Sequence, residues 1–316
     1  MQGPTLTLVV NPTAGRGRAV RVLPNVVQEL LKGVPSARLQ IVRATSYDEA
    51  RMRCIAAVEG ARSTAVDGRH DCLIVMGGDG MMHLGLNAAA GSGVPLGIIP
   101  AGTGNDFCRG VGVPTSAVAA ARVIAEGLTQ SIDLTRVSGS LADGATQRYV
   151  GSVVSTGYDA RVNRRTNAMT FTLGSLGYAY CALAELARFE PLRYRITMDG
   201  VPRKQTAMLI AVANAGLFGG GMRIAPDYSL TDGLLDVTII HPVSRMTLLR
   251  LLPEMFSGRF VSDPAVERVR ASHVTIDGDE LYGMADGEAL GPVPLLLEAV
   301  PNALTVYVPR AVATRA

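Results

Sequence analysis

The chain has 316 residues and 33.2 kDa, which is enough for two domains with full cores. Its net charge of +3 and pI of about 8.7 suit an anionic substrate or membrane surface but are too mild for a nucleic-acid binder. The four cysteines (Cys54, Cys72, Cys108, Cys181) have neither metal-type nor disulfide-framework spacing. The opening MQGPTLTLVV lacks the basic stretch of a signal peptide, so a reduced, cytoplasmic protein is expected. Mean hydropathy is high, at +0.24. Even so, the best spanning candidate, residues 166–184, carries two glycines and many hydroxyl groups and reads as a buried or interfacial helix.

Strand signals at residues 5–10, 38–43, 73–76 and 95–99 alternate with helical patterns. One helix follows residues 11–18 and runs through Leu31, and another starts at Ser46 with Glu49 completing a capping box. A third runs from Pro114 to Gly127. This alternation predicts an α/β domain with a mostly parallel sheet, whose ligands bind beyond the carboxyl ends of the strands. Past about residue 135 the character changes to β. Strand patterns cover 130–137, 148–156, 193–198, 206–214, 234–240, 266–276 and 304–308, with helices around 173–189 and 244–256. The expected layout is an α/β domain over 1–135, a larger antiparallel β domain with inserted helices over 136–309, and a tail over 310–316.

Three loops fall at strand ends. Gly77-Gly78-Asp79-Gly80 follows an apolar strand and opens a helix, so its amides can attract phosphate; Asp79 would then work through a bound cation. Asn11 to Gly15 offers an amide, a hydroxyl and backbone N–H groups. Gly102-Thr103-Gly104-Asn105-Asp106 repeats the pattern. Taken singly, each is also an ordinary turn or helix cap. Together, Asp79, Asp106 and Asp133 offer carboxylates for hydrated Mg²⁺, although Asp133 alone reads as a solvent-facing strand residue. Asp286 and Glu288 place carboxylates where a hydroxyl acceptor needs a base, but Asp-Gly occurs seven times, so most instances are plain turns. The 227–236 stretch reads as a hairpin turn or as a cation loop built on Asp232.

The ordered set NPTAGRG from Asn11, GGDG from Gly77, PLGIIPAGTGNDF from Pro95, IDL from Ile132, DGLLDV from Asp232 and ADGE from Ala285 resembles the diacylglycerol kinase catalytic-domain family. That family includes bacterial soluble diacylglycerol kinases and the sphingosine and ceramide kinases. The resemblance spans nearly the whole chain. It implies a first domain similar to phosphofructokinases and NAD kinases, a β-sandwich second domain, an active site in the cleft between them, and a tail that packs back on the first domain.

By motif, the resemblance assigns ATP to Asn11, Pro12, Thr13, Ala14, Gly15, Thr45, Gly77, Gly78, Asp79, Gly80, Met81, Met82, His83, Leu84, Gly102, Thr103 and Asn105. It assigns an Asp–water–Mg²⁺ network to Asp79, Asp106 and Asp133, and a structural Mg²⁺ to Ser229, Asp232 and Leu234. Asp286 is the expected base, with Glu288 as its support. Met81 and Leu84 depart from the family's usual Thr and Glu.

The implied activity is ATP-dependent phosphorylation of diacylglycerol to phosphatidic acid, with another lipid acceptor or an inactive nucleotide- or lipid-binding regulator as alternatives. Arg161, Arg164 and Arg165, preceding Phe171, Leu173, Leu176 and Tyr178, suit peripheral contact with an anionic membrane at its inner face, or equally a solvated cluster before a core helix. A homodimer through exposed sheet edges is compatible with this sequence.

Overall fold

The computed structural model describes residues 3–63, 65–66, 68–157, 190–279, 281–286 and 288–313. The chain forms two compact units. One comprises Met1–Leu134, Leu230–Asp232 and Pro301–Ala316, and the other Thr135–Ser229 and Gly233–Val300. The first unit's main stretch ends at Leu134, and two later segments, Leu230–Asp232 and Pro301–Ala316, return to it.

In the first unit, β1 (Thr5–Val10), α1 (Ala14–Gly33), β2 (Arg38–Arg43), α2 (Tyr47–Glu59), β3 (Cys72–Gly77), α3 (Asp79–Ala89) and β4 (Leu96–Pro100) alternate as the hydropathy pattern requires. Short α4 (Asp106–Gly110) and α5 (Ala117–Glu126) follow. The strands run parallel in the order β2-β1-β3-β4. Leu6, Leu8, Val10, Ile74 and Met76 enter one core with Leu23, Val26 and Leu30 of α1 and Ile124 of α5. Serines start two of these helices, with Ser46 Oγ accepting from Glu49 N–H and Ser116 Oγ from Ala119 N–H. The Glu49 carboxylate reaches back to the N–H and hydroxyl of Thr45, one residue before the cap predicted for it. Gly127 ends α5 in the left-handed conformation.

The second unit begins within β5 (Thr129–Gly139) and continues through β6 (Gln147–Val150), β7 (Val153–Gly157), β8 (Leu192–Met198), β9 (Val201–Ala207) and β10 (Leu209–Ala213). After β11 (Leu217–Phe218) and β12 (Met222–Arg223) come β13 (Leu235–Ile240), α6 (Arg245–Ser257), β14 (Val266–Ala271) and β15 (His273–Gly278). The hairpin β16 (Tyr282–Ala285) and β17 (Glu288–Pro292) leads to β18 (Leu295–Tyr307) and α7 (Arg310–Ala313). An antiparallel sheet β14-β13-β10-β7-β16-β17 packs Ile210, Val212, Val237 and Ile239 against Ile196, Ile276 and Leu297 of the antiparallel β8, β15 and β18. This is a β-sandwich. The other face of β10 (Leu209, Ala211, Ala213) is covered by Leu248, Leu251 and Met255 of α6, which explains its unbroken apolar run.

Three stretches predicted as single strands are each two. At 266–276 the break is Ser272, whose N–H and hydroxyl both donate to the Asp199 carboxylate instead of continuing a ladder. The 227–236 stretch is not a hairpin turn: β12 pairs with β11, and β13 pairs with β10 and β14. After the last strand, the Val312 side chain lies 2.7 Å from where a Cβ on Gly112 would stand, so the tail touches the first unit. The helical readings at 166–184 and 173–189, with Arg161, Arg164, Arg165, Phe171, Leu173, Leu176 and Tyr178, lie outside the described residues. Among the described residues no helix is long and apolar enough to cross a membrane.

Candidate active site

The carboxyl ends of β1, β3 and β4 lie side by side, and each releases one of the three predicted loops. After β1, Asn11 N–H donates to Met76 O, while its side-chain oxygen accepts from the N–H and hydroxyl of Thr13. Gly15, Arg16 and Gly17 then adopt left-handed conformations (φ 58°, 58° and 81°) before the regular helix begins. A side chain on Gly15 would meet Ala101 O at 2.2 Å, so this glycine is required by close approach to the loop after β4.

The loops after β3 and β4 are in backbone contact. Ala101 and Gly102 donate to Gly77 O, and a Cβ on Gly102 would fall 2.5 Å from Gly78 Cα. Asp79 locks the pair: its Oδ2 accepts Asn105 N–H at 2.8 Å and its Oδ1 accepts Asp106 N–H at 2.7 Å. Asn105 is buried and left-handed (φ 54°), and its side chain closes the turn by bonding Gly102 N–H and Gly102 O. Helix α3 starts from Gly78, which supplies no side-chain cap, the geometry in which phosphate oxygens can accept the first-turn N–H groups.

Sequence reasoning missed two cations on this frame. Arg18 Nη2 donates to Gly102 O at 2.7 Å, and Arg109 Nε donates to Gly104 O at 3.2 Å. The only signal was basic residues placed just beyond two glycine-rich turns. Thr103 is exposed between them. The Cys108 thiol lies behind the loop, pushed up to about 12 by burial with the Asp79 charge adding to it, so it is a neutral packing group.

Several expected site residues have side chains that are buried or bonded within the unit. Met81, Met82, His83 and Leu84 are each at most 5% exposed, so their side chains belong to the interior of α3. His83 is bonded by Asn87, one turn on. Thr45 donates its backbone N–H and its hydroxyl to Glu49, and these bonds, the backbone one first, hold that carboxyl below its ordinary range.

Asp133 is 2% exposed, not solvent-facing; its N–H donates to Leu230 O and its Oδ1 accepts Asn302 N–H at 2.9 Å. Among the described residues no three His, Cys, Asp or Glu side chains form a metal-binding set. Asp79 and Asp106 do converge: a Cβ on Gly104 would lie 2.5 Å from Asp79 Oδ2 and 3.7 Å from Asp106 Oδ2. Two carboxylates beside glycine-rich turns are a donor set that fits Mg²⁺, which ordinarily takes one or two carboxylates from a protein and completes its shell with waters and phosphate oxygens.

In the second unit, Asp286 sits at the tip of the β16–β17 hairpin, where Ala285 pairs with Glu288. Its φ of 50° is the left-handed geometry that a two-residue hairpin turn demands. Both Asp286 and Glu288 are half-buried. In the loop before β13, Asp232 is exposed, while Ser229 and Leu234 are half-buried.

Residues 5–137 match the diacylglycerol kinase catalytic domain, and residues 152–308 match the YegS C-terminal NAD kinase beta sandwich-like domain. A diacylglycerol kinase of Mycobacterium tuberculosis is 36% identical over 308 residues, covering 96% of this chain and 95% of that protein. The crystal structure of a putative diacylglycerol kinase from Bacillus anthracis superposes with a TM-score of 0.76 at 24% identity, covering 99% of both chains. Yeast NADH kinase shares the fold more distantly, with a TM-score of 0.51 at 10% identity over 98% of this chain and 83% of that one.

Proposed function

Because the chain belongs to the diacylglycerol kinase catalytic-domain family and is thus a lipid kinase, we propose that it transfers the γ-phosphoryl group of ATP to the free hydroxyl of diacylglycerol. The observation that carries this reading is the Asp79 lock, which fixes two glycine-rich turns edge to edge at the start of α3. Fixed amides there hold a polyphosphate without reorganising, and Arg18 and Arg109 add positive charge to the same frame. Asp79 and Asp106 would hold hydrated Mg²⁺, which when bound neutralises polyphosphate charge. Asp286 would receive the acceptor hydroxyl's proton, with Glu288 supporting it. An acceptor embedded in a bilayer requires the kinase to work at a membrane surface, and ATP as donor places that surface on the cytoplasmic side.

The test is transfer of labelled phosphate from ATP to diacylglycerol, monoacylglycerol, ceramide and sphingosine in mixed micelles, with and without Mg²⁺. Mg²⁺-dependent phosphatidic acid is the expected product. Labelling of a different lipid alone would overturn the acceptor, and ATP binding without any labelled lipid would overturn the kinase reading in favour of a regulator.

A further inference from the structure

The first unit's sheet has a polar floor where a buried parallel sheet is ordinarily apolar. Along β1 the side chains alternate, so Leu6, Leu8 and Val10 enter the core beside α1, while Thr5 and Thr7 take the other face. The parallel register sets Thr5 beside Arg38 and Thr7 beside Gln40. Across from this ladder α2 turns the small Ala56 and Ala57 toward the sheet, with Arg53 at the edge, and a cavity of about 380 Å³ remains between them. That volume lies within the range of small-molecule sites.

Thr7 is only 9% exposed and lines this cavity. Its hydroxyl, the Gln40 amide and the Arg38 guanidinium have no hydrogen-bond or ion-pair partner among the described residues. The wall's one acid, Asp71, is already answered by Arg62 at 2.6 Å. Arg53 on α2 meets only Glu49, at 3.7 Å, so the rim keeps an excess of positive charge. An apolar ligand would strand the buried hydroxyl, and a cation would be repelled by the arginines.

We propose that this cavity binds a small hydroxylated oxyanion, with the guanidinium of Arg38 taking its phosphate or carboxylate group and Thr7 and Gln40 its hydroxyls. The site stands at the opposite end of β1 from the Asn11 loop, so it is separate from the glycine-rich loops.

The experiment is titration calorimetry of the full chain with glycerol 3-phosphate and, separately, glycerate. Thr7→Val keeps the strand's shape while deleting the hydroxyl, and Arg38→Gln alters an exposed rim residue. Each is expected to weaken binding of at least one probe by about tenfold or more, whereas Arg18→Ala at the glycine-rich loops leaves that binding unchanged. Preference for glycerol 3-phosphate identifies a phosphate ligand, and preference for glycerate a carboxylate. No binding of either probe at millimolar concentration, or binding weakened only by Arg18→Ala, overturns the proposal. None of these readouts depends on turnover, so the result is independent of the kinase assignment.

Discussion

Asp79 Oδ1 accepts the backbone N–H of Asp106 at 2.7 Å, across 27 residues of sequence, so one carboxylate anchors the helix that carries the other. The acid that reads as a cation partner thus also builds the loop after β4. In Asp79→Asn, one of the two amide bonds loses its acceptor, and the remaining one loses its charge assistance. The expected cost is about 1–3 kcal/mol of stability. Displacement of the Gly102–Asp106 loop should lower kcat/KM by on the order of 100-fold. Urea unfolding and lipid phosphorylation measure the two effects. A variant with wild-type stability would show that the bonds to Asn105 and Asp106 carry nothing.

Met81 and Leu84, where the resemblance implied Thr and Glu, are both 5% exposed. Met81 fills the space a side chain on Gly77 would need, with Cγ 2.4 Å from that position. Met81→Thr should therefore retain most activity and lose about 1–2 kcal/mol of stability by emptying part of the core. Leu84→Glu should cost about 3 kcal/mol or more by burying an unpaired carboxylate. Thermal unfolding of both variants checks this. A Leu84→Glu protein as stable as wild type would mean that the position opens to water.

Why some of this was legible in the sequence follows from which interactions are local. The β1 and β3 signals were strong because each strand is flanked by turn residues and carries a local apolar run, as in Cys72–Gly77. Ser46, Ser116 and Ser244 all cap helices, a bond made within three residues. The Asp133 carboxylate eluded the same reading because its partner, Asn302, lies 169 residues away. The β16–β17 hairpin was hidden by glycines at Gly283 and Gly291, which dilute strand propensity where the register shifts at a bulge. Arg18 and Arg109 act through carbonyls of a distant or tightly turned loop, and no periodicity reports that.

Acid should reveal the Asp71–Arg62 pair. Burial alone would raise the Asp71 carboxyl, but the Arg62 guanidinium and the backbone N–H groups of Thr5 and Arg62 outweigh it and hold it at about 2, against an ordinary 3.8. A depressed carboxyl stabilises the fold above its unfolded-state value, and that contribution fades as pH falls from about 4 toward 2. With Asp71 only 5% exposed, about 2 kcal/mol is at stake. Wild type and Asp71→Asn should differ in urea midpoint at pH 6 and converge on acidification toward pH 2. Equal differences at both ends would exclude titration of Asp71 as the cause.

Asp286 supplies the cleanest separation of chemistry from folding. Its φ of 50° is tolerated by Asp and Asn alike, whereas alanine there is strained by about 1 kcal/mol. Asp286→Asn should therefore fold with wild-type stability and bind ATP within about twofold, while turnover falls by on the order of 100-fold or more, since a neutral amide cannot take the acceptor's proton. Asp286→Ala should show the same loss of turnover together with a lower unfolding midpoint. Glu288→Gln, at the first position of β17, should lose less than Asp286→Asn if Glu288 only supports the base. The three variants, compared by single-turnover transfer and by urea unfolding, decide the assignment. Near-normal transfer by Asp286→Asn would remove Asp286 from the chemistry, and a larger loss in Glu288→Gln would move the base to Glu288.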